Sequence, residues 1–198
     1  MVRPDGEEEY KRARSAMLAE ARTLSRVKHP GVVTVHSVFI DKETNSLFIE
    51  KDWLEGPTLE TRMSQGPVSH EQARDWLHAI LRALEKVHEK RITHRDIKLA
   101  NIVFDEDDNP VLVDFGAALN RETKDGMTVA GPYTPQYAAP EQQIPRMGKI
   151  GPWTDFYALA ATWYELLTMR PVSEFRGVVD SGNVTDNKEL IGSVMKNL

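Results

Sequence analysis

Apolar residues recur at three- and four-residue steps between Glu7 and Val27, at Tyr10, Met17, Leu18, Ala21, Leu24 and Val27, with acidic residues at the front. That period predicts an amphipathic helix. His29-Pro30-Gly31 ends it, and the pattern then changes. Val32 to Ile40 and Ser46 to Trp53 are rich in β-branched and aromatic residues and flank the polar turn Asp41 to Asn45, which predicts an antiparallel strand pair. After a break at Gly56-Pro57, Ser69 and Gln72 form a capping box for a long helix with an apolar face of Ala73, Trp76, Leu77, Ile80, Leu81, Leu84 and Val87. His78 on that helix reads as a packing residue.

Two short apolar segments, Ile102 to Phe104 and Val111 to Val113, flank the turn-forming run Asp105 to Pro110. This predicts a hairpin with Asn101 and Asp114 together at its open end. A Gly-, Thr- and Pro-rich loop is expected from Ala117 to about Pro145, and Trp153 to Thr168 carries the last strong helical pattern. Patterning fades over Ser173 to Leu198.

Composition narrows the field. The chain has 198 residues, 40% hydrophobic and 28% charged, within the range of a globular domain with a real core. A net charge of -5 with scattered Lys and Arg argues against nucleic acid and anionic lipid as partners. No cysteine is present, which excludes disulfides and thiolate metal sites and suits a reducing, cytoplasmic setting. The N-terminus has no apolar stretch of signal-peptide type. The longest apolar run, Phe156 to Leu167, is interrupted by Glu165 and is too short to span a bilayer.

The chemistry lies in an ordered series: His94-Arg95-Asp96, Lys98, Asn101, Asp114-Phe115-Gly116, Ala139-Pro140-Glu141 and Asp155. Phosphoryl transfer needs a carboxylate to orient the attacking hydroxyl, oxygens to hold a cation near the phosphates, and positive charge against the transition state. Asp96 suits the first role, Asn101 and Asp114 the second as ligands of Mg²⁺, and Lys98 the third. Each triplet alone is weak, and the set in this order is specific. Asp105, Asp107 and Asn109 mimic a calcium loop, but Pro110 stands where glycine is required, so a turn is expected. His88-Glu89 lacks the second histidine of a zinc hydrolase.

With these motifs, residues from Val2 to Pro171 resemble a bacterial Hanks-type serine/threonine protein kinase. The likeness extends through His94 to Asn101, Thr134 to Gln142 and Gly151 to Leu159. It implies an α+β, protein-kinase-like fold. A truncated, β-rich small lobe (1–55, hinge near 51–56) would precede a mostly helical large lobe (56–172), with a tail at 173–198. It implies ATP and Mg²⁺ as cofactors and a protein Ser/Thr hydroxyl as acceptor. Asp96, Lys98, Asn101 and Thr134 would be catalytic, Thr134 and Lys98 both marking Ser/Thr rather than Tyr specificity. Asp155 would anchor the catalytic loop. Glu20 would face the nucleotide through a strand lysine, and Asp52 and Trp53 would belong to the adenine-holding hinge. Thr123 and Thr128 lie where phosphate could be added and ordered by Arg95, or are ordinary loop polarity.

The sequence departs from that family at three places. Residues 1 to 60 have neither a glycine-rich loop nor a lysine in a Val-Ala-Ile-Lys setting, so the chain is expected to start just past that strand. Lys51 occupies the position usually held by an apolar or small gatekeeper, where it would pair with Glu20 or Asp114, or else lie solvated on an edge strand. Glu141 is expected to lack the arginine it pairs with in the family. Three readings follow: a serine/threonine kinase; a pseudokinase or scaffold, since the loop and lysine are absent; or an inactive fragment.

Overall fold

Ser69 and the apolar face beyond it build the central helix. In the computed structural model, which describes residues 15, 18–19, 21–41, 43, 46–119, 122–124, 127–129 and 133–174, the Ser69 side chain accepts the Gln72 N–H at 3.2 Å. The helix it caps, here called α2, runs His70–Glu89. Ala73, Trp76, Ile80, Ala83, Leu84 and Val87 are all buried, and their three- and four-residue spacing puts them on one face. Leu77 and Leu81 border that face. His78 does not: it is exposed, because its position in the helical repeat falls on the solvent side.

Upstream, residues 21–24 end the first helix, so Val27, expected inside it, lies beyond in the turn, where it is still buried. Strands β1 (Val35–Ile40) and β2 (Leu47–Lys51) pair antiparallel, Val38 opposite Ile49, with a bulge between Val35 and Ser37. They are shorter than the apolar segments predicted. Val32 and Val33 leave the pair to bond β4 (Pro110–Leu112): Val33 N donates to Leu112 O at 3.0 Å and Leu112 N to Gly31 O at 2.9 Å. The other edge of β4 pairs antiparallel with β3 (Ile102–Phe104). Pro110, expected in the turn, opposes Phe104, and Val113 lies just past the pairing.

Between the two strand pairs the chain turns through Gly56. A Cβ there would lie 2.1 Å from the Phe104 carbonyl oxygen, so only glycine fits. The close approach lets Phe104 N donate to Pro57 O at 3.0 Å. Helix α1 (Leu59–Ser64) follows, capped by Thr58. Its Arg62 guanidinium lies 3.9 Å over the Phe104 ring and pairs with Asp108 in the β3–β4 turn. That turn is held by Asp105 Oδ1, which accepts from Asp107 N and Asn109 N. It is an Asx-type turn.

Within the segment expected to be one loop, short elements form: α3 (Gly116–Leu119), the hairpin β5 (Glu122–Lys124) with β6 (Met127–Val129), and α4 (Pro140–Gln143). Thr123 and Thr128 face one another across the hairpin backbone. Helix α5 (Pro152–Thr168) buries Asp155, Ala158, Leu159, Ala161, Thr162, Trp163, Tyr164 and Leu166. It docks on α2, where the Trp163 indole N–H donates to Ala73 O at 3.0 Å. Among the described residues no helix is long and apolar enough to cross a membrane.

Candidate active site

Segment 91–98 connects α2 to a short 3₁₀ turn, Leu99–Asn101, and has almost no backbone hydrogen bonds of its own. Its shape comes from burial and from one carboxylate. Asp155, fully buried near the start of α5, accepts His94 N at 2.9 Å on Oδ2 and Arg95 N at 2.8 Å on Oδ1. Charge-assisted bonds of this kind are about twice as strong as neutral ones. They hold Arg95 at φ 71°, a left-handed conformation that costs an arginine about 1–3 kcal/mol. The Gln142 amide of α4 donates to Arg95 O at 2.8 Å and so fixes the same residue from the other side.

His94 is also fully buried. Its ring packs on Phe115 with centroids 4.4 Å apart, and Nε2 donates to Val113 O at 2.9 Å. A carbonyl can only accept, so Nε2 carries the proton and Nδ1 is left to accept Asp96 N at 3.3 Å. Ile97 and Leu99 point into the core. Asp96 and Lys98, which flank Ile97 on either side, are turned away from that core.

Asp96 is held on every side. Its Oδ1 accepts Thr134 N at 2.9 Å, and its Oδ2 accepts Lys98 Nζ at 2.8 Å and Asn101 Nδ2 at 3.1 Å. Asn101 Nδ2 also donates to Asp96 O at 2.7 Å, and Lys98 Nζ to Thr134 Oγ1 at 2.8 Å. Burial alone would raise the Asp96 carboxyl, but the hydrogen bonds from Lys98 and Thr134 outweigh it and hold the group below its ordinary value. It is ionised at neutral pH.

The structure thus brings together Asp96, Lys98, Asn101 and Thr134. Asp114 follows Val113, whose N–H donates to Asn101 O at 3.0 Å, so the open end of the β3–β4 hairpin places it beside Asn101 in the chain path. Asp114 is exposed at φ 59°, its Oδ1 accepting Gly116 N at 3.2 Å. Both amide hydrogens of Asn101 are committed to Asp96, which turns its amide oxygen away from that residue. One amide oxygen and one carboxylate are the hard donors that suit Mg²⁺, an ion that keeps several waters.

The other predicted site residues lie elsewhere. Asp52 pairs with His36 at 2.5 Å, and that hydrogen bond, followed by one from Thr34, holds its carboxyl below the ordinary range. The Trp53 side chain is 86% exposed. Lys51 is exposed at the end of β2, and among the described residues it makes no ion pair with Asp114. Glu20 lies outside the described residues. Glu141 is not left without a partner: Thr154 Oγ1 donates to it at 2.7 Å and itself accepts Gly151 N. A threonine hydroxyl thus meets the carboxylate that the sequence suggests would go unpaired.

Sequence reasoning missed two members of this network. Gln142 was read only as part of a motif, although a glutamine at the third helical position is a capping signal, and it does accept Ala139 N at 3.1 Å. His88, set aside as a failed zinc motif, lies 2.7 Å from Asp155 Oδ2. No local pattern signals a contact between residues so far apart. Beside Lys98 and Thr134 opens a groove of about 560 Å³, with Glu60, Tyr137, Glu165 and Val172 along its walls. Tyr137 donates to Glu165 at 2.5 Å; burial and that carboxylate both push the phenol up.

Comparison with known proteins agrees with this architecture. The sequence profile named Protein kinase domain matches residues 2–193. Serine/threonine-protein kinase Nek1 of Mus musculus is 36% identical over 162 residues, 78% of this chain and 13% of that protein. CBL-interacting serine/threonine-protein kinase 20 of Arabidopsis thaliana is 30% identical over 150 residues, 75% of this chain and 34% of that protein. The DNA damage-responsive serine/threonine-protein kinase RqkA of Deinococcus radiodurans is 36% identical over 170 residues, 80% of this chain and 24% of that protein. The chain spans between 13% and 34% of the length of these relatives. An α+β fold, an anchored His-Arg-Asp loop and a match along nearly its whole length together make this chain a member of the protein kinase domain family.

Proposed function

We propose that this chain carries the phosphoryl-transfer site of a serine/threonine protein kinase, moving the γ-phosphoryl group of ATP to a protein hydroxyl. The observation that supports it most is the clamped, ionised Asp96 beside Lys98 and Thr134. Asp96 would orient the acceptor hydroxyl and take up its proton as the oxygen bonds phosphorus, while ADP leaves. Lys98 uses two of its three hydrogens on Asp96 and Thr134, so the third is free to meet the phosphate. Asn101 and Asp114 would hold Mg²⁺, which supplies charge neutralisation at the phosphates. Thr134 closes the cluster and favours Ser and Thr as acceptors. On this reading 1–55 and 56–172 are the small and large lobes, with Asp52 and Trp53 at the hinge and Glu20 toward the nucleotide. A cytoplasmic setting and no nucleic-acid partner go with zero cysteines and a net charge of -5.

A scaffold that binds nucleotide without turnover is the second reading, favoured by Asp114, whose carboxylate caps its own loop at Gly116. Asp96→Asn separates the two. Losing the catalytic carboxylate should slow ADP release from Mg-ATP by about 100-fold or more, while Mg-ATP still raises the melting temperature of the variant. Equal ADP release by parent and variant would reject the kinase reading.

A further inference from the structure

We infer that Gln142 is a positioning residue that ties one wall of the acceptor groove to the loop bearing Asp96; the inference rests on the kinase reading for its kinetic arm only. The turn 134–139 lies against that loop, and its Thr134, Gln136 and Tyr137 line the groove beside Lys98. The front end of the turn is bonded to Asp96, whose Oδ1 accepts Thr134 N at 2.9 Å. Its rear end is bonded to the residue before, because the Gln142 amide spans the two segments: Oε1 accepts Ala139 N at 3.1 Å and Nε2 donates to Arg95 O at 2.8 Å. Two consecutive loop residues thus each hold one end of the turn.

Gln142 is suited to this task by its place. It is the third residue of α4, from which a glutamine reaches back to the residue that starts the helix. On an exposed helix the nitrogen of that amide would be left to water. Here the side chain is buried, and burial demands a partner for each end of the amide. Ala139 is grasped twice, since its own carbonyl accepts Gln142 N at 2.9 Å. The turn in front of it is stiff: Thr134 O accepts Tyr137 N and Ala138 N, both at 3.1 Å, and Gln143 Nε2 donates to Ala138 O at 2.8 Å. A shift at Ala139 therefore moves Thr134 as well. Without Gln142 the wall loses its rear attachment to Arg95 and can pivot about Thr134, so that an acceptor hydroxyl lying along it misses Asp96. Asn101 and Asp114 are placed by bonds of their own, so handling of Mg-ATP persists.

The test is Gln142→Met, which keeps the length of the side chain and removes both bonds. Three readouts are taken on the full chain: label passed from γ-labelled ATP to a mixture of Ser- and Thr-containing peptides, ADP release without peptide, where water is the acceptor, and hydrogen exchange of the Ala139 amide by NMR. Transfer to peptide is expected to fall by about tenfold or more, as small misplacements of a reacting group do, with ADP release to water within about twofold of the parent. The Ala139 amide is expected to exchange about fivefold faster or more, the equivalent of one hydrogen bond lost. Unchanged transfer to peptide in the folded variant, equal losses of both activities, or an Ala139 amide exchanging at the parental rate would each overturn the inference. Should Gln142→Met not fold, Gln142→Leu repeats the kinetics, and the parent itself supplies a second measurement. Its Gln142 side-chain amide should exchange at least about tenfold more slowly than that of the exposed Gln72, and equal rates would overturn the tie. A parent that labels no peptide would sink the kinase reading, and exchange at Ala139 would then decide the tie alone.

Discussion

At the scale of single residues, the site is a problem of satisfying charge. Asp96 is partly buried and would be raised by burial, yet three donors keep it ionised. Its folded value lies below the unfolded one, so it adds stability that is present above the ordinary Asp range, about pH 4. That stability is lost as pH falls through the folded value. The melting-temperature difference between the parent and Asp96→Asn should therefore stay constant above about pH 5 and shift against the parent below it. A difference independent of pH down to 3 would contradict the assignment. Thr134 joins the same balance: Thr134→Ala removes the acceptor of Lys98 and should lower kcat by about tenfold, with Thr134→Ser restoring it. Asp96, Lys98 and Asn101 could be named from the sequence because they lie in motifs whose spacing suits the chemistry, and Thr134 through the family resemblance. His88 and Gln142 could not, since each acts by reaching a residue dozens of positions away.

At the scale of elements, apolar period was a good guide where one face is buried. Ala73 to Val87 shows it: the helix and its cap follow from Ser69 and the spacing alone. It failed where side chains alternate between partners. Val32 and Val33 read as the start of a strand but bond β4 instead, and Pro110 can oppose Phe104 because it is the first residue of β4, a strand position where a missing N–H is tolerated. The segment after Ala117, rich in turn formers, hides short elements that exist only through contacts made elsewhere, such as Gln142 on Arg95. Gly56 is the element-scale position most open to test. Gly56→Ala would drive a methyl into the Phe104 carbonyl and separate the α1 approach from β3. A loss of about 1–3 kcal/mol is expected by chemical denaturation, and an unchanged midpoint would show that the backbone there yields.

For the whole molecule, α2, α5 and the His94 to Asn101 loop form one unit because Asp155 and Trp163 join them. Trp163 bonds the Ala73 carbonyl and packs into the core, while Asp155 receives donors from the loop and from α2. A neutral amide cannot accept from every one of those donors. Asp155→Asn should cost about 3–5 kcal/mol, the usual result of breaking a buried charge network, and should abolish turnover. Loss of turnover at full stability would instead mean that Asp155 touches the reaction itself. The sequence motifs announced the family, but how Asp155 couples two helices to one loop needed the folded chain.

The measurement that tests the central claim most directly is transfer of label from γ-labelled ATP to a mixture of Ser-, Thr- and Tyr-containing peptides, with the labelled amino acid identified. The clamped Asp96 predicts label on serine and threonine, dependent on Mg²⁺ and absent with Asp96→Asn. Label confined to tyrosine, or equal label with Asp96→Asn, would contradict it.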